Sequence, residues 1–188
     1  IPRFGVVNFH PSLLPKYRGE TPTVSALMNG EEETGVTAHF IEDEKIDSGR
    51  IIAQEKMKIE PSDNDGILRR NLATISEKVL TDSLNLVLKF PRQKFPKQDE
   101  QEATYYQKLT LKDAEINLND SFKDILRKIR AMSPYPGAYL VHNGMKYIVN
   151  NASLLNSISQ NETHESRDRT LELMTLEGIV QFQCVDID

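Results

Sequence analysis

Val6-Val7-Asn8-Phe9-His10-Pro11-Ser12-Leu13-Leu14-Pro15-Lys16-Tyr17-Arg18-Gly19 decides how the chain is read. Gly5 to Phe9 predicts a short buried strand, cut off by a loop that Pro11 opens and Pro15 closes. Asn8 and His10 are two apart, so on a strand they project from one face. Polar side chains at the carboxyl end of an apolar strand, followed by a rigid loop, are a common setting for chemistry in α/β proteins. A second polar cluster, Ile46-Asp47-Ser48-Gly49, follows after one helix and one strand, and Asn8, His10 and Asp47 are expected to meet in one site. Taken singly, each has a plainer reading. A His at a strand end is more often a hydrogen-bonded structural residue, and an Asp before Ser-Gly is more often a turn residue. The combination carries the expectation.

The 188 residues are 38% apolar and 27% charged, the balance of a folded globular chain rather than a disordered one. No apolar run approaches the ~20 residues that span a bilayer, so no membrane partner is expected. The lone Cys184 has no disulfide partner and no ligand-like spacing, which fits a reducing, cytoplasmic setting. A net charge of -5 gives no general attraction to nucleic acid or anionic lipid. His10, His39, His142 and His164 have no metal-ligand spacing, and no metal is expected. His39, on the strand leading to Asp47, reads as a packed or surface residue.

Outward from the opening stretch, Thr21 and Pro22 predict a helix start and Asn29-Gly30 its stop. Glu31 to Glu33 reads as a solvated turn, Val36 to Ile41 as a strand, Glu42 to Lys45 as a charged loop, and Ile51 to Ile59 as the next strand. Pro61-Ser62-Asp63 opens a long helix ended by Pro91. Its stripe of Ile67, Leu68, Leu72, Ile75, Val79, Leu80, Leu84, Val87 and Leu88 is expected to pack on a sheet. Residues 92–102 read as a linker between a domain at 1–91 and a small β-rich domain at 103–188. In the latter, Thr104 to Tyr106 predicts a strand and Leu111 to Asn117 a turn and strand. Asp120-Ser121 caps a helix, Asn143-Gly144 joins a hairpin, 156–169 is a polar mobile loop, and a final hairpin turns at Glu177-Gly178.

Asn8-x-His10-Pro-Ser-Leu-Leu-Pro15, then Tyr17-Arg18-Gly19, Thr34-Gly35-Val36-Thr37 and Asp47-Ser48-Gly49, resembles the formyltetrahydrofolate-dependent formyltransferases. The resemblance covers residues 1 to about 90 well. Ala103 through Tyr105, Ile129-Arg130-Ala131 and Tyr135-Pro136-Gly137-Ala138 look like the small C-terminal domain of the tRNA and nucleotide-sugar branches. The fold implied is α/β: part of a Rossmann-like formyltransferase domain, followed by a small β-rich, OB-like domain. The family's opening parallel strands, with the first glycine-containing loop, are not in this sequence, so the piece alone is expected to have a poor active site. By resemblance, Asn8, His10 and Asp47 are the catalytic trio. Asp43 is the alternative to Asp47, but only Asp47 is followed by x-Gly. Ser12, Leu13, Leu14 and Pro15 on one loop, and Glu44 and Ile46 on the other, would flank the folate.

The implied reaction moves a formyl group from 10-formyltetrahydrofolate to a primary amine. The amino group of a nucleotide-linked aminosugar is the favoured acceptor, and initiator methionyl-tRNA the alternative. The tRNA needs a basic surface. Residues 103–188 carry Lys108, Lys112, Lys123, Arg127, Lys128, Arg130, Lys146, Arg167 and Arg169 against a larger number of acids. Lys123, Arg127 and Arg130 could line one helix face, whose plainer reading is solvation. A formyltetrahydrofolate deformylase and a non-catalytic folate-binding module stand behind these two. Exposed Tyr and Phe in the C-terminal hairpins permit a homodimer without requiring one.

Overall fold

The computed structural model describes residue 2 and residues 4–90, 93–155 and 169–185. It divides into two compact units, Ile1–Lys108 and Leu109–Asp188. In the first unit the elements are β1 (Val7–His10), β2 (Arg18–Gly19), α1 (Pro22–Asn29), β3 (Glu33–Phe40), β4 (Ile51–Lys58), α2 (Asp65–Lys89) and β5 (Tyr105–Tyr106). The second holds a 3₁₀ turn (Leu111–Ala114), α3 (Phe122–Ala131), β6 (Ala138–His142), β7 (Met145–Leu154), β8 (Arg169–Thr175) and β9 (Gly178–Val185). Among the described residues no helix is long and apolar enough to cross a membrane.

The first unit sets helices against an antiparallel sheet of order β1-β3-β4. β3 is central and buried on both faces from Thr34 to His39. One face carries Val36 and Ala38, both almost fully buried, beside Val7 and Phe9 of β1. Val7 and Phe9 line an apolar groove with Leu80, Ser83, Leu84 and Val87 of α2, which places this face toward that helix. The opposite face carries Asn8, His10, Thr37 and His39. Glu33, read from sequence as part of a turn, begins β3 by pairing with Lys58.

α1 starts at Pro22, whose missing N–H costs nothing there, and stops at Gly30 in the left-handed conformation. Thr21 precedes it without a side-chain capping bond; its hydroxyl donates to the Gln107 carbonyl instead. α2 is capped by Asn64, whose side chain accepts from the Ile67 N–H, so the helix begins slightly later than Pro61-Ser62-Asp63 suggested. Its apolar stripe is only partly buried. Leu68, Leu72 and Val79 are core, whereas Leu80, Leu84 and Leu88 stay largely exposed on the walls of the groove they share with Val7 and Phe9. The helix ends at Lys89; Pro91 lies outside the described residues.

Residues 93–108 stay with the first unit. β5 pairs in parallel with β2, and Tyr17 N–H donates to the Thr104 hydroxyl at 2.8 Å. The polar character that reads as a linker serves hydrogen bonds into the site, described below.

The second unit is a four-stranded antiparallel sheet of order β6-β7-β9-β8 with α3 packed on it. Asn143-Gly144 makes the β6–β7 turn with both residues at positive φ, the conformation a two-residue hairpin demands. Ser121 caps α3 by accepting from the Asp124 N–H. Leu111 to Ala114 forms a 3₁₀ turn, and only Glu115 bridges to Tyr139, so the expected strand reduces to one pairing. Of the stretch 156–169, expected as a loop, residues 156–168 lie outside the described residues and Arg169 begins β8. Phe182 is fully buried between Ala152 and Leu171 on the flanking strands. Phe182→Ala should destabilise this unit by about 3–5 kcal/mol, through lost burial and a residual cavity. Hydrogen exchange should then accelerate across β7–β9 while the β1-β3-β4 sheet keeps its protection; unchanged β7–β9 rates would contradict this packing.

Candidate active site

The register of β1 against β3 builds the polar face. Asn8 sits directly opposite His39, and His10 opposite Thr37, so two side-chain pairs from two strands share one surface. A register shift in the β3–β4 pairing, between Ala38 and His39, follows at the site edge, where bulges commonly re-aim side chains.

Thr37 pins the proline-bounded loop over this face. Its hydroxyl donates to the Ser12 carbonyl at 2.6 Å and accepts from the Leu14 N–H and the Gln54 amide. The Ser12 hydroxyl closes the loop by donating to the Lys16 carbonyl. Beneath the loop His10 is 4% exposed, and its Nε2 lies 2.7 Å from the Tyr17 carbonyl. A carbonyl can only accept, so Nε2 carries the proton and donates. In the neutral ring Nδ1 is then the basic atom, and it lies 3.4 Å from Asp47 Oδ2. Burial lowers the pKa of His10 below its ordinary value, outweighing the raising effects of the Tyr17 carbonyl and Asp47.

Asp47 is the point of convergence. It adopts a left-handed backbone (φ 51°), which Asp tolerates better than most residues. Oδ2 accepts from the Gly19 N–H at 2.9 Å, and Oδ1 accepts from the Asn8 amide at 3.3 Å and lies 3.4 Å from His39 Nε2. Burial alone would raise this carboxyl, but its polar surroundings, the donating Gly19 N–H among them, hold it below the ordinary carboxylate value. Gly49 permits the turn to close: a Cβ there would lie 1.7 Å from the Phe40 carbonyl oxygen. Asp43, the alternative acid, is exposed and accepts from Lys45 N–H and the Ser48 hydroxyl within its own loop.

A strap holds this turn from outside. The Gln98 amide donates to the carbonyls of both Asp47 and Gly49, each at 2.7 Å. The Gln98 side-chain oxygen accepts from Arg18, whose side chain is fully buried and also pairs with Glu100. Glu100 is held down to about 2 by Arg18 and then Lys45.

A cleft of about 240 Å³ is lined by Asn8, His39, Asp47 and the 40–49 loop. It gathers Glu44 and Ile46, both exposed, beside Asn8 and Asp47. Ser12 and Leu14 are buried in the other loop, and Leu13 packs over Gly35; none of the four residues Ser12 to Pro15 lines this cleft. His10 lies behind Asp47 rather than on the wall. Sequence reasoning missed two site residues. His39 could have been found by aligning Thr37-x-His39 antiparallel to Asn8-x-His10, whereas Gln98 carries no local signal at all.

Two measurements follow from this geometry. A His whose pKa is lower folded than unfolded binds its proton more readily unfolded. Its contribution is therefore complete above about pH 6.5 and is lost as pH falls through the lower folded value. Urea midpoints measured between pH 7.5 and 5 should fall on acidification, and His10→Gln should flatten that fall. Arg18→Met should cost about 3 kcal/mol through charged hydrogen bonds left unmade and should loosen the Asp47–Gly49 turn in hydrogen exchange.

The Formyl transferase family profile matches residues 1–84, and the profile of the Formyl transferase C-terminal domain matches residues 108–185. A methionyl-tRNA formyltransferase from Staphylococcus aureus (strain MW2) is 34% identical over 162 residues, which is 86% of this chain and 51% of that protein. This chain thus spans about half the length of the curated relatives it matches. The crystal structure of WlaRD, a sugar 3N-formyl transferase solved with dTDP and 5-N-formyl-THF, superimposes with a TM-score of 0.73 at 25% identity, covering 97% of this chain and 66% of that one. A methionyl-tRNA formyltransferase from Clostridium thermocellum gives a TM-score of 0.64 at 26% identity, covering 82% and 65%. With both of its units matched in chain order by the two domains of one family, the chain belongs to the formyltransferases.

Proposed function

We propose that the protein bearing this chain transfers a formyl group from 10-formyltetrahydrofolate to a primary amine. The observation that carries the reading is the convergence of Asn8, His10 and Asp47 beside one cleft. The folate derivative in the structure of WlaRD, 5-N-formyl-THF, supports the choice of donor. The folate supplies the formyl carbon. The residues on hand suit it: an amide donor on the cleft wall, a half-buried carboxylate, and the apolar Ile46 beside them.

Attack by an amine builds negative charge on the formyl oxygen. The Asn8 amide is a donor placed to stabilise it. The His10–Asp47 pair, rather than the ring alone, takes the amine proton. His10 is neutral when its pKa lies low, its Nδ1 is the free base, and the imidazolium formed there sits 3.4 Å from the Asp47 carboxylate. Asp47, held ionised, orients the trio and balances that charge. In the full-length parent, Asn8→Ala should lower kcat by roughly 10²–10³-fold and His10→Ala by roughly 10²–10⁴-fold, read as folate release.

The favoured acceptor is the amino group of a nucleotide-linked aminosugar. Residues 109–188 carry 8 Lys and Arg against 11 Asp and Glu. On α3, Arg127 pairs with Asp124 and Lys128 approaches Asp120, so part of the basic helix face is already balanced. The second reading, initiator methionyl-tRNA, is favoured by the 34% identity to the Staphylococcus aureus protein. The deciding experiment supplies the parent with 10-formyltetrahydrofolate and a dTDP- or UDP-aminosugar, methionyl-tRNA, or no acceptor. Turnover with the aminosugar alone supports the first reading, and turnover with the tRNA alone replaces it. Release without acceptor indicates a deformylase, and no His10-dependent release in any arm overturns formyl transfer.

A further inference from the structure

His39 enters neither the trio nor the roles given to it, yet it touches two of its three members. Its ring is 2% exposed. Nδ1 lies 2.9 Å from the Phe40 carbonyl, which can only accept, so Nδ1 carries a proton and donates it there. In the neutral ring Nε2 is then left as an acceptor facing the site. It lies 3.2 Å from Asn8 Nδ2 and 3.4 Å from Asp47 Oδ1, while Asn8 Nδ2 lies 3.3 Å from that same oxygen.

These three distances form a nearly equilateral triangle. The two acceptors therefore subtend about 60° at the Asn8 nitrogen, half the ~120° between its two amide hydrogens. One Asn8 hydrogen can bridge both acceptors, and the other is then directed away from them. A neutral Nε2 and a carboxylate oxygen are both acceptors, and the Asn8 N–H is the donor within reach of both.

We infer that His39 is a positioning residue: its Nε2, together with Asp47 Oδ1, clamps one hydrogen of the Asn8 amide so that the second is presented for a ligand oxygen. The inference deepens the formyl-transfer reading and rests on it for the identity of that oxygen. The clamp also fixes which way round Asn8 sits, because its carbonyl oxygen in that position would face two acceptors. The close approach of Gly49 to Phe40 and His39 ties the Asp47-x-Gly49 turn to the strand that holds the clamp.

The test has two arms. In this 188-residue chain, ¹⁵N NMR should report His39 as the Nδ1–H tautomer, and the Asn8 side-chain NH₂ should give two well-separated proton signals. His39→Leu should collapse that separation, whereas His39→Gln, which returns an acceptor near the Nε2 position, should restore much of it. Matched thermal melts establish that both variants fold, and His39→Gln serves should His39→Leu not. An Nε2–H tautomer, or Asn8 signals indifferent to His39→Leu, would overturn the clamp. In the full-length parent, His39→Leu should lower kcat about 10–100-fold with the KM for the folate within about twofold, and His39→Gln should recover most of the loss. A fully active His39→Leu parent overturns the positioning role. A parent inactive even as wild type, with the NMR result intact, removes the formyl-transfer reading and leaves the clamp standing.

Discussion

The site depends on the antiparallel register of β1 against β3. Side chains alternate along a strand, so a slip of one residue would carry Asn8 and His10 to the helix-facing side and bring Val7 and Phe9 to the polar face. The apolar half of the same alternation resists that slip. Val7 and Phe9 face Leu80 and Leu84 of α2, and Val36 and Ala38 are buried beside them. The hydrophobic packing on one face therefore fixes the polar geometry on the other. That register also sets Asn8 against His39.

The polar face is buried, which makes its hydrogen bonds compulsory. His10, Ser12, Arg18, Thr37 and His39 are all nearly inaccessible, and no buried side-chain polar atom among the described residues lacks a partner. Each such group would cost about 1–3 kcal/mol if left unpaired. Burial disfavours the charged form of both titrating members of the proposed trio, and their partners decide the outcome. For His10 burial outweighs the raising effects of the Tyr17 carbonyl and Asp47, which drives the ring toward its neutral form. Asp47 is kept ionised with the Asn8 amide and the Gly19 N–H donating to its oxygens. A neutral base beside a fixed carboxylate suits the proton transfer proposed for the amine.

Arg18 shows how far support extends beyond the reacting groups. Its guanidinium does not touch the cleft. It holds Gln98, and Gln98 grips the carbonyls on either side of Ser48, so a residue next to the proline-bounded loop controls the turn that carries Asp47. This accounts for the place of 93–108 within the first unit. A segment that looks like a solvated connector by composition is retained there by one strong donor and a two-residue strand pairing.

The sequence by itself determined the motif, the class and most element boundaries. Proline spacing, the Asn8-x-His10 alternation, the Pro22 and Gly30 ends of α1 and the Asn143-Gly144 turn are local properties, and local sterics fix them. It also identified the residues that resemble a formyl-transfer site. Tertiary structure alone decided that His39 is inside the site, since its place follows from the partner strand's register and not from its neighbours in sequence. It alone brought Gln98 across some fifty residues to Asp47, and it separated Glu44 and Ile46, on the cleft, from Ser12 to Pro15, in the other loop. It also left Leu80, Leu84 and Leu88 half-exposed, although they continue the stripe of buried Leu72 and Val79. Periodicity specifies which face of a helix is apolar; only packing decides how much of that face is buried.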